Sequence, residues 1–512
     1  TDKGSTNLRE LFLSKCNWEW LFGFENREGI FDIHRSFKFC PVIVQKGGET
    51  EGIRTAFMRR NLLDWEEAEK YVLIYPREQV EQYSPRSKAI LEIQSERDLE
   101  ILKKLYENGV LFGDDSPEGW RIKYKQGDFN MTSDSKLFPP LPHWEKKGFI
   151  PDEYGHWIKG NWLPIEQFGY SAESSKLDPQ WKHWSILERP YDLVLSRDGT
   201  QAIRIESVDE IALPLYEGRM IGQYDFSEKG WVSGKGRSAV WRELSWEQKQ
   251  LEPQYCMDLD IFQESETKNS AKIGFLAIGS ATNARTMIAG PVPSMPCGNS
   301  IGTLQSDVRN AVPYIISVLN SFTYDFAFRN RLGGLNLNYF VLEETPVPLP
   351  NQLSPSIPDL FISLCYCTLL HSREFINLRD AEKGWRNKWS VSIAERIRTF
   401  SILEALIAES FNLDEDTFSW IVSDCDHPAG RLSAQGFGRR LNPKGFWRVD
   451  KEKDPELRHT VLSLIAFHDL QEKGIDEFLA QNDGEGWMIP ETLRLADYGL
   501  GHDDRAKEHQ PV

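Results

Sequence analysis

The stretch that decides the fold runs from residue 211 to residue 350 and opens with the sequence IALPLYEGRM. It continues as GWVSGKGR at residues 230–237, as RTMIAG at residues 285–290 and as RLGGLNLNYF at residues 331–340. Apolar runs are separated here by glycine-rich and proline-rich segments, which is the pattern of short strands joined by tight loops. We therefore interpret this stretch as the centre of an α+β domain.

Two segments within this stretch carry the secondary-structure prediction. Residues 285–290 read as a buried strand that the prolines after it bring to an end. Residues 314–328 predict an amphipathic helix, because Ile315, Val318 and Phe322 follow helical spacing along one face.

The glycine-rich segment 230–237 resembles a phosphate-binding P-loop but departs from its spacing. A P-loop has four residues between its first glycine and the Gly-Lys pair, and a Ser or Thr after the lysine. Here three residues intervene and Gly236 follows Lys235. What remains is a flexible loop, loosened by Gly230, Gly234 and Gly236. It presents Lys235 and Arg237 either to a DNA backbone or, as a hairpin tip without a ligand, to water.

The charge distribution singles out the same loop. The chain of 512 residues has a formal net charge of −17, which argues against a protein that binds nucleic acid over its whole surface. Residues 212–340, however, hold equal numbers of acidic and basic side chains. Between Arg219 and Arg242 five basic residues face only Asp225 and Glu228, so the sequence allows one localised contact with DNA.

Arginine and asparagine side chains supply the candidates for reading bases. Arginine bidentate to guanine and asparagine bidentate to adenine are the usual contacts in the major groove. An asparagine after two glycines also commonly serves a turn, so the structural alternative stays open for each residue. The predicted DNA-binding residues are Arg219, Lys235, Arg237, Arg285, Asn299, Arg329, Arg331, Asn336 and Asn338.

The first sixty residues predict a helix followed by strands. Asn7 is placed to cap a helix that extends to about Cys16, and residues 18–24, 30–33 and 37–44 read as strands. Lys46-Gly-Gly48 ends this pattern. We expect these elements to be the last part of an α/β sheet whose first strands lie outside the chain.

At this point the sequence resembles a known family. The first segment, TDKGS followed by LRELFL and WLFGFENREGIFDIHRSFKFCPVIVQKGG, is similar to the region after the catalytic motif of large adenine-specific DNA methyltransferases. These are the fused methylases of type IIG restriction–modification enzymes and of the DISARM and BREX phage-defence systems. The runs LPLYEGRMIGQYD at 213–225, ARTMIAGP at 284–291 and 319–350 resemble the target-recognition domain of the same enzymes. The resemblance covers most of the chain and is strongest at 1–60, 210–350 and 480–506.

The resemblance implies a Rossmann-like methyltransferase sheet at the start of the chain and S-adenosylmethionine as the cofactor of the parent enzyme. It also implies an aromatic side chain against the flipped adenine, for which Phe31 is the first candidate and Phe37 the second. The alternative is that both are core aromatics of a strand pair. Two family motifs are absent from this sequence, the glycine-rich cofactor loop and the Asn/Asp-Pro-Pro-aromatic motif. We expect both upstream of Thr1, so that this chain alone binds no cofactor and holds no catalytic residue.

The remaining sequence predicts a mainly helical C-terminal region, with helices over 357–375, 390–411, 414–421 and 454–470, after an earlier helix at 96–107. The seven cysteines lack metal-binding spacing, and Asp503-Asp504 beside His502 has no further ligand, so we predict no metal site.

The proposed domains are 1–75, the end of the methyltransferase sheet; 76–205, an aromatic and proline-rich insertion; 206–350, the target-recognition domain; 351–425, a helical segment; and 426–512, an α+β tail.

The sequence supports two functional hypotheses. The first is the DNA-binding, specificity-determining portion of an adenine-N6 DNA methyltransferase, with double-stranded DNA, an N-terminal methylase portion, and a helicase or other defence-system subunits as partners. The second is an acidic scaffold that recruits a helicase or nuclease and has little DNA contact of its own. No apolar run reaches the length of a membrane span, and the scattered cysteines favour the cytoplasm.

Overall fold

The structure is a computed structural model of the chain. It describes residues 3–169 except 36 and 153, residues 193–264 except 246–248, residues 272–364, residues 390–422 except 391, and residues 444–490 except 455–456. Residues 365–375 of the helix predicted over 357–375 lie outside the described residues, as do residues 491–506 of the family-like segment 480–506, including His502, Asp503 and Asp504. The protein is a mixed α/β fold with several small sheets and a helical C-terminal part, which confirms the predicted fold class.

The strands in chain order are β1 (Cys16–Glu25), β2 (Lys38–Phe39), β3 (Val42–Lys46), β4 (Gly52–Arg59), β5 (Leu73–Pro76), β6 (Val110–Leu111), β7 (Lys123–Lys125), β8 (Ile150–Pro151), β9 (Trp157–Gly160), β10 (Leu163–Pro164), β11 (Leu193–Leu195), β12 (Gln201–Arg204), β13 (Val208–Pro214), β14 (Lys229–Ser233), β15 (Val240–Glu243), β16 (Cys256–Asp258), β17 (Lys272–Leu276), β18 (Ala289–Val292), β19 (Ile301–Gln305) and β20 (Pro346–Val347).

The α-helices are α1 (Thr6–Lys15), α2 (Leu63–Glu66), α3 (Arg77–Tyr83), α4 (Glu96–Asn108), α5 (Leu141–Lys146), α6 (Leu259–Glu264), α7 (Ala311–Leu319), α8 (Phe322–Arg331), α9 (Tyr339–Leu342), α10 (Ile357–Leu364), α11 (Ile393–Ser410), α12 (Glu415–Val422), α13 (His459–Lys473) and α14 (Ile475–Gly484).

The first sheet has the order β2–β1–β4–β5, with β3 also paired to β1. β1 and β4 are parallel, whereas β3 and β5 are antiparallel to their neighbours. The predicted helix and first strand correspond to α1 and β1. The prediction of a strand at 30–33 was wrong, because Asn26 binds the backbone there: its Nδ2 donates to the carbonyls of Phe31 and Ile33, both at 3.0 Å.

The central sheet has the order β18–β17–β19–β7 and packs against α7, which α8 follows in the chain. The single helix predicted over 314–328 is two helices, since the chain breaks at Asn320 and Ser321 caps the second one through its side-chain oxygen. Asn320 uses its amide to complete the edge of β18, where it accepts a hydrogen bond from the amide of Ala289 at 2.9 Å and donates to its carbonyl at 2.8 Å. This tertiary contact explains the break.

Strand pairing joins regions that the sequence places in separate domains. β9 pairs with β13, β7 pairs with β19, and β6 pairs with β20. The predicted insertion therefore contributes strands to the sheets of the predicted recognition domain.

The described C-terminal part is helical, as predicted. α11 is almost entirely buried and packs along α13, which itself contacts α12 and α14. The side chain of Ser392 caps α11 by accepting from the amide of Glu395. One large apolar core runs continuously from the first sheet through α8 to these helices.

Candidate nucleic-acid interface

Strands β14 and β15 form a two-stranded antiparallel hairpin that pairs with no other described strand. Trp231 lies opposite Trp241 in its register. Val232 and Val240 are about half exposed, at 49% and 52%. A two-stranded ribbon of this kind has the dimensions to enter the major groove of B-DNA.

The tip of the hairpin, residues 234–239, turns through Gly234 and Gly236, whose φ angles are 74° and 56°. A side chain at Gly234 would also come within 2.4 Å of the carbonyl oxygen of Ser238, so glycine is needed there. The Gly234 carbonyl accepts hydrogen bonds from Trp231 Nε1 at 3.0 Å and from Gln254 Nε2 at 3.1 Å. The tip is therefore braced, unlike the flexible loop that the sequence predicts, and Gly230 lies inside β14.

The basic residues around the hairpin fall into two groups. At its base, Lys229 Nζ lies 3.7 Å from Glu243, and Arg242 forms an ion pair with Glu252. At its tip, Lys235 and Arg237 are exposed, and neither has an acidic partner among the described residues. Lysine and arginine side chains that neutralise DNA phosphates release the counterions condensed there. Lys235 and Arg237 can do so without leaving an ion pair with another described residue.

Arg219 lies exposed beside the tip. Its Nη1 donates to the carbonyl of Ala239 at 3.3 Å, and its guanidinium carbon lies 6.0 Å from the centroid of the Trp241 ring. Burial raises the pKa of the neighbouring Glu217 to about 7, although the charge of Arg219 acts in the opposite direction. The protonation state of Glu217 near neutral pH therefore sets the net charge next to Arg219.

Arg285 and Arg331 are not available to DNA. Arg331 is buried, with Nη2 donating to Glu344 at 2.6 Å and Nη1 to the hydroxyl of Tyr106 at 2.9 Å. Arg285 is buried between the ring of Phe322, 4.1 Å away, and Glu404, at 3.2 Å. Their donors serve long-range contacts inside the protein, which corrects their prediction as DNA-binding residues.

Arg329 and Asn299 are also committed to contacts within the protein. Arg329 donates from Nε to Asp325 at 2.9 Å and from Nη2 to the carbonyls of Asn283 and Ala284. The side-chain oxygen of Asn299 accepts from the amide of Met131 at 3.2 Å. The guanidinium of Arg329 is therefore occupied within the protein, and the side-chain oxygen of Asn299 joins two loops.

Asn336 and Asn338 have different surroundings. Asn336 is exposed on an extended segment that pairs with Ile278, and Leu337 beside it is buried. Asn338 is half-buried and begins α9, where its carbonyl accepts from the amide of Val341. Of the two, Asn336 has the more accessible side chain.

Phe31 and Phe37 lie on the segment between β1 and β2, and both are exposed, at 53% and 59%. The buried Asn26 anchors this segment through three hydrogen bonds to the backbone of Phe31 and Ile33. The edge of Phe31 packs on Phe39, with ring centroids 4.6 Å apart. The two rings are therefore not core aromatics of a strand pair, which was the alternative interpretation.

Among the described residues, His468, Asp469 and Glu472 on α13 form a group whose ligand atoms lie within 4.8 Å of one another. His468 Nδ1 already contacts Glu415 at 2.8 Å, and Asp469 accepts from Trp487 Nε1 at 2.8 Å. These partners account for the cluster without an ion, and we assign no metal to it.

Sequence reasoning missed two features of the surface. The first is the pair Trp231 and Trp241, which lie opposite each other on the two strands that flank the hairpin tip. The second is a group of cations around Glu25 that includes Lys444. No local signal predicts this group, because Lys444 lies more than four hundred residues after Glu25 in the chain.

Comparison with known proteins gives a limited result. No family model matches the chain. No curated protein matches it either. Among solved structures, the chain is similar to the type IIG restriction endonuclease BpuSI, with 12% identical residues and a TM-score of 0.25. The match covers 80% of this chain and 46% of that one, and a similarity of this size assigns neither family nor activity.

In the described part of the chain, no helix combines the length and apolar character needed to cross a membrane.

Proposed function

We propose that this chain is the DNA-binding, target-recognition portion of an adenine-N6 DNA methyltransferase of a restriction–modification or phage-defence system. The observation that carries the proposal is the hairpin tip, where Lys235 and Arg237 project from a braced β-ribbon without acidic partners among the described residues. The family resemblance of residues 213–225, 284–291 and 319–350 points to the same role.

In the proposed complex, one set of side chains binds phosphates and a different side chain recognises a base. Lys235 and Arg237, with Arg219 beside them, bind phosphates and fix the position of the ribbon, and they carry no sequence information. The exposed Asn336 is the candidate for reading a base edge, since its amide matches adenine in the major groove. Arg285, Arg329 and Arg331 make contacts within the protein and take no part in the proposed DNA contact.

The methyl-transfer chemistry is not assigned to this chain. Its sequence lacks the glycine-rich loop and the Asn/Asp-Pro-Pro-aromatic motif that the family uses for S-adenosylmethionine and for the adenine amine. We propose that an N-terminal methylase portion supplies both. Exposed apolar side chains on α1 and on the outer strands β3 and β5 support such a partner, namely Leu8, Leu11, Val42, Ile43 and Ile74.

A salt titration of duplex affinity tests the proposal. We expect the double variant Lys235→Ala/Arg237→Ala to bind specific and scrambled duplexes more weakly. The slope of log affinity against log salt should fall by about two, since each phosphate contact contributes roughly 0.9. The matched control is Lys229→Ala/Arg242→Ala, which removes the two cations that are already paired at the base of the hairpin. An unchanged slope in the tip variant would remove the hairpin from the interface.

The second candidate function is an acidic scaffold that recruits a helicase or nuclease. The net charge of −17 and the exposed apolar residues of the first sheet favour it. The two functions differ at low salt, where the first requires binding to duplex DNA. If the chain binds no duplex at low ionic strength, either alone or with its methylase partner, the scaffold is the correct interpretation.

A further inference from the structure

A second group of cations surrounds Glu25 at the end of β1. The buried carboxylate of Glu25 accepts a hydrogen bond from Arg60 Nε at 2.9 Å, and Arg27 Nε and Lys444 Nζ lie at 3.6 Å and 3.8 Å. Lys38 stands beside them, paired with Glu92 at 2.5 Å. We call Arg27, Lys38, Arg60 and Lys444 the Glu25 cluster.

The Glu25 cluster has an excess of positive charge. Its four cations face two carboxylates, Glu25 and Glu92, within a chain that is strongly acidic. Burial lowers the pKa of Lys444, Glu25 opposes this effect, and the neighbouring Arg60, Arg27 and Lys38 lower the pKa further. An anion in this position would relieve the mutual repulsion of the four side chains.

The cluster is open to a ligand. All four side chains keep part of their surface exposed, from 28% for Lys38 to 52% for Arg27. Arg60 and Lys444 also line a cleft of about 500 Å³, together with the carboxylates of Glu92 and Asp98. Met58 in the wall of this cleft has a φ of 61°, an uncommon conformation for a residue with a side chain, and such residues occur often at binding sites.

Aromatic side chains accompany the cations. Phe37 directly precedes Lys38, and Phe31 lies on the same anchored segment, both with their rings exposed. Trp420, also exposed, lines the adjoining cleft. Cations that follow a phosphate backbone, combined with aromatic faces on which bases stack, are the usual composition of a surface that binds nucleic acid.

We propose that the Glu25 cluster binds phosphodiester groups of the DNA and forms a second contact, separate from the hairpin tip. The proposal rests on the proposed function, because it assigns the same ligand. The excess positive charge of the cluster suits backbone phosphates, and the partial exposure of its four side chains leaves them within reach of such a ligand.

The test compares three variants in the salt titration of duplex affinity: the tip variant Lys235→Ala/Arg237→Ala, the cluster variant Arg27→Gln/Lys444→Gln, and both combined. The cluster variant leaves Arg60 on Glu25, so the buried carboxylate keeps its closest partner. We expect the slope to fall by about two in each double variant and by about four in the combined one. The control is Lys70→Gln/Lys103→Gln, which removes two exposed surface charges.

The outcomes separate the two proposals. A lower slope in the tip variant with an unchanged slope in the cluster variant overturns the second contact and leaves the proposed function intact. Unchanged slopes in both variants overturn both proposals. If the cluster variant loses binding of free inorganic phosphate but not of duplex, the site serves a small anion and the assignment to DNA is wrong. Should the double variant unfold, Arg27→Gln alone must still lower the slope by about one.

Discussion

Two groups of basic residues occupy opposite environments in this protein. Lys235 and Arg237 extend into water from the tip of a hairpin and have no acidic partner among the described residues. Arg285 and Arg331 lie in the interior, each paired with a buried glutamate. By residue type all four are suited to DNA, and only their surroundings separate them.

The difference has an energetic basis. An arginine that is taken out of water must be paired, because an isolated buried charge costs several kcal/mol. If Arg331 left Glu344 to bind DNA, Glu344 would remain buried without a counterion, and the folded state would lose that free energy. The tip cations are already hydrated, so moving them to a phosphate breaks no contact within the protein and releases condensed counterions.

The largest effect is expected from removing one of the two buried arginines, Arg331. Arg331→Ala should lower the free energy of unfolding by about 3–5 kcal/mol, because Glu344 would remain buried without its cation. Arg237→Ala is the matched control and should stay within about 0.5 kcal/mol of the parent protein. Denaturant unfolding measures both. Similar small losses in the two variants would show that Arg331 is not a structural residue.

The next largest effect concerns the recognition of a DNA base by Asn336. Asn336→Ala should weaken binding to the preferred duplex, once this has been selected from a random pool, by about 1–3 kcal/mol. Binding to scrambled duplexes should not change. The half-buried Asn338 serves as the neighbouring comparison, and its replacement should have the smaller effect on recognition. Equal losses on both duplexes would mean that Asn336 reads no base.

A smaller effect is expected from pH. Burial raises the pKa of Glu217 to about 7, so raising the pH from 6 to 8 ionises this carboxyl beside Arg219 and adds negative charge to the contact surface. We expect duplex affinity to fall over this range by about 0.2–1 kcal/mol, the usual strength of an exposed charge pair.

Glu217→Gln should remove that part of the pH dependence. The same shift affects stability, since the folded state holds the proton more tightly than the unfolded one. Stability from this group is therefore present at low pH and is lost as the pH rises towards about 7. A variant with an unchanged pH profile would exclude Glu217 as the titrating group.

Helices that are specified by their own residues could be predicted from the sequence, whereas elements that depend on distant contacts could not. Helices α4 and α11 match their predicted spans because each combines an apolar stripe with a serine cap, Ser95 and Ser392. The strand expected at 30–33 does not form, since the side chain of Asn26 takes its backbone partners. The break between α7 and α8 depends on the contact of Asn320 with β18, which no local window contains.

The same distinction holds for the candidate site. The exposure of Lys235 and Arg237 follows from a glycine turn between two short strands, so it was predictable. The burial of Arg331 depends on Tyr83 and Tyr106, which lie more than two hundred residues earlier in the chain. Residue type suggested a DNA contact there, and only tertiary packing shows that the side chain is occupied.

The central claim is that the hairpin tip contacts DNA, and the chemical reactivity of Lys235 tests it most directly. In this chain, alone or combined with the proposed methylase portion, a lysine-reactive reagent should modify Lys235 readily, and saturating duplex should suppress this modification in a salt-dependent manner. The exposed Lys103 on α4 should react equally with and without DNA, while the buried Lys249 and Lys272 should stay unreactive throughout. Suppression at Lys235 without suppression at Lys103 supports the account. Equal reactivity of Lys235 in free and DNA-saturated protein would contradict it.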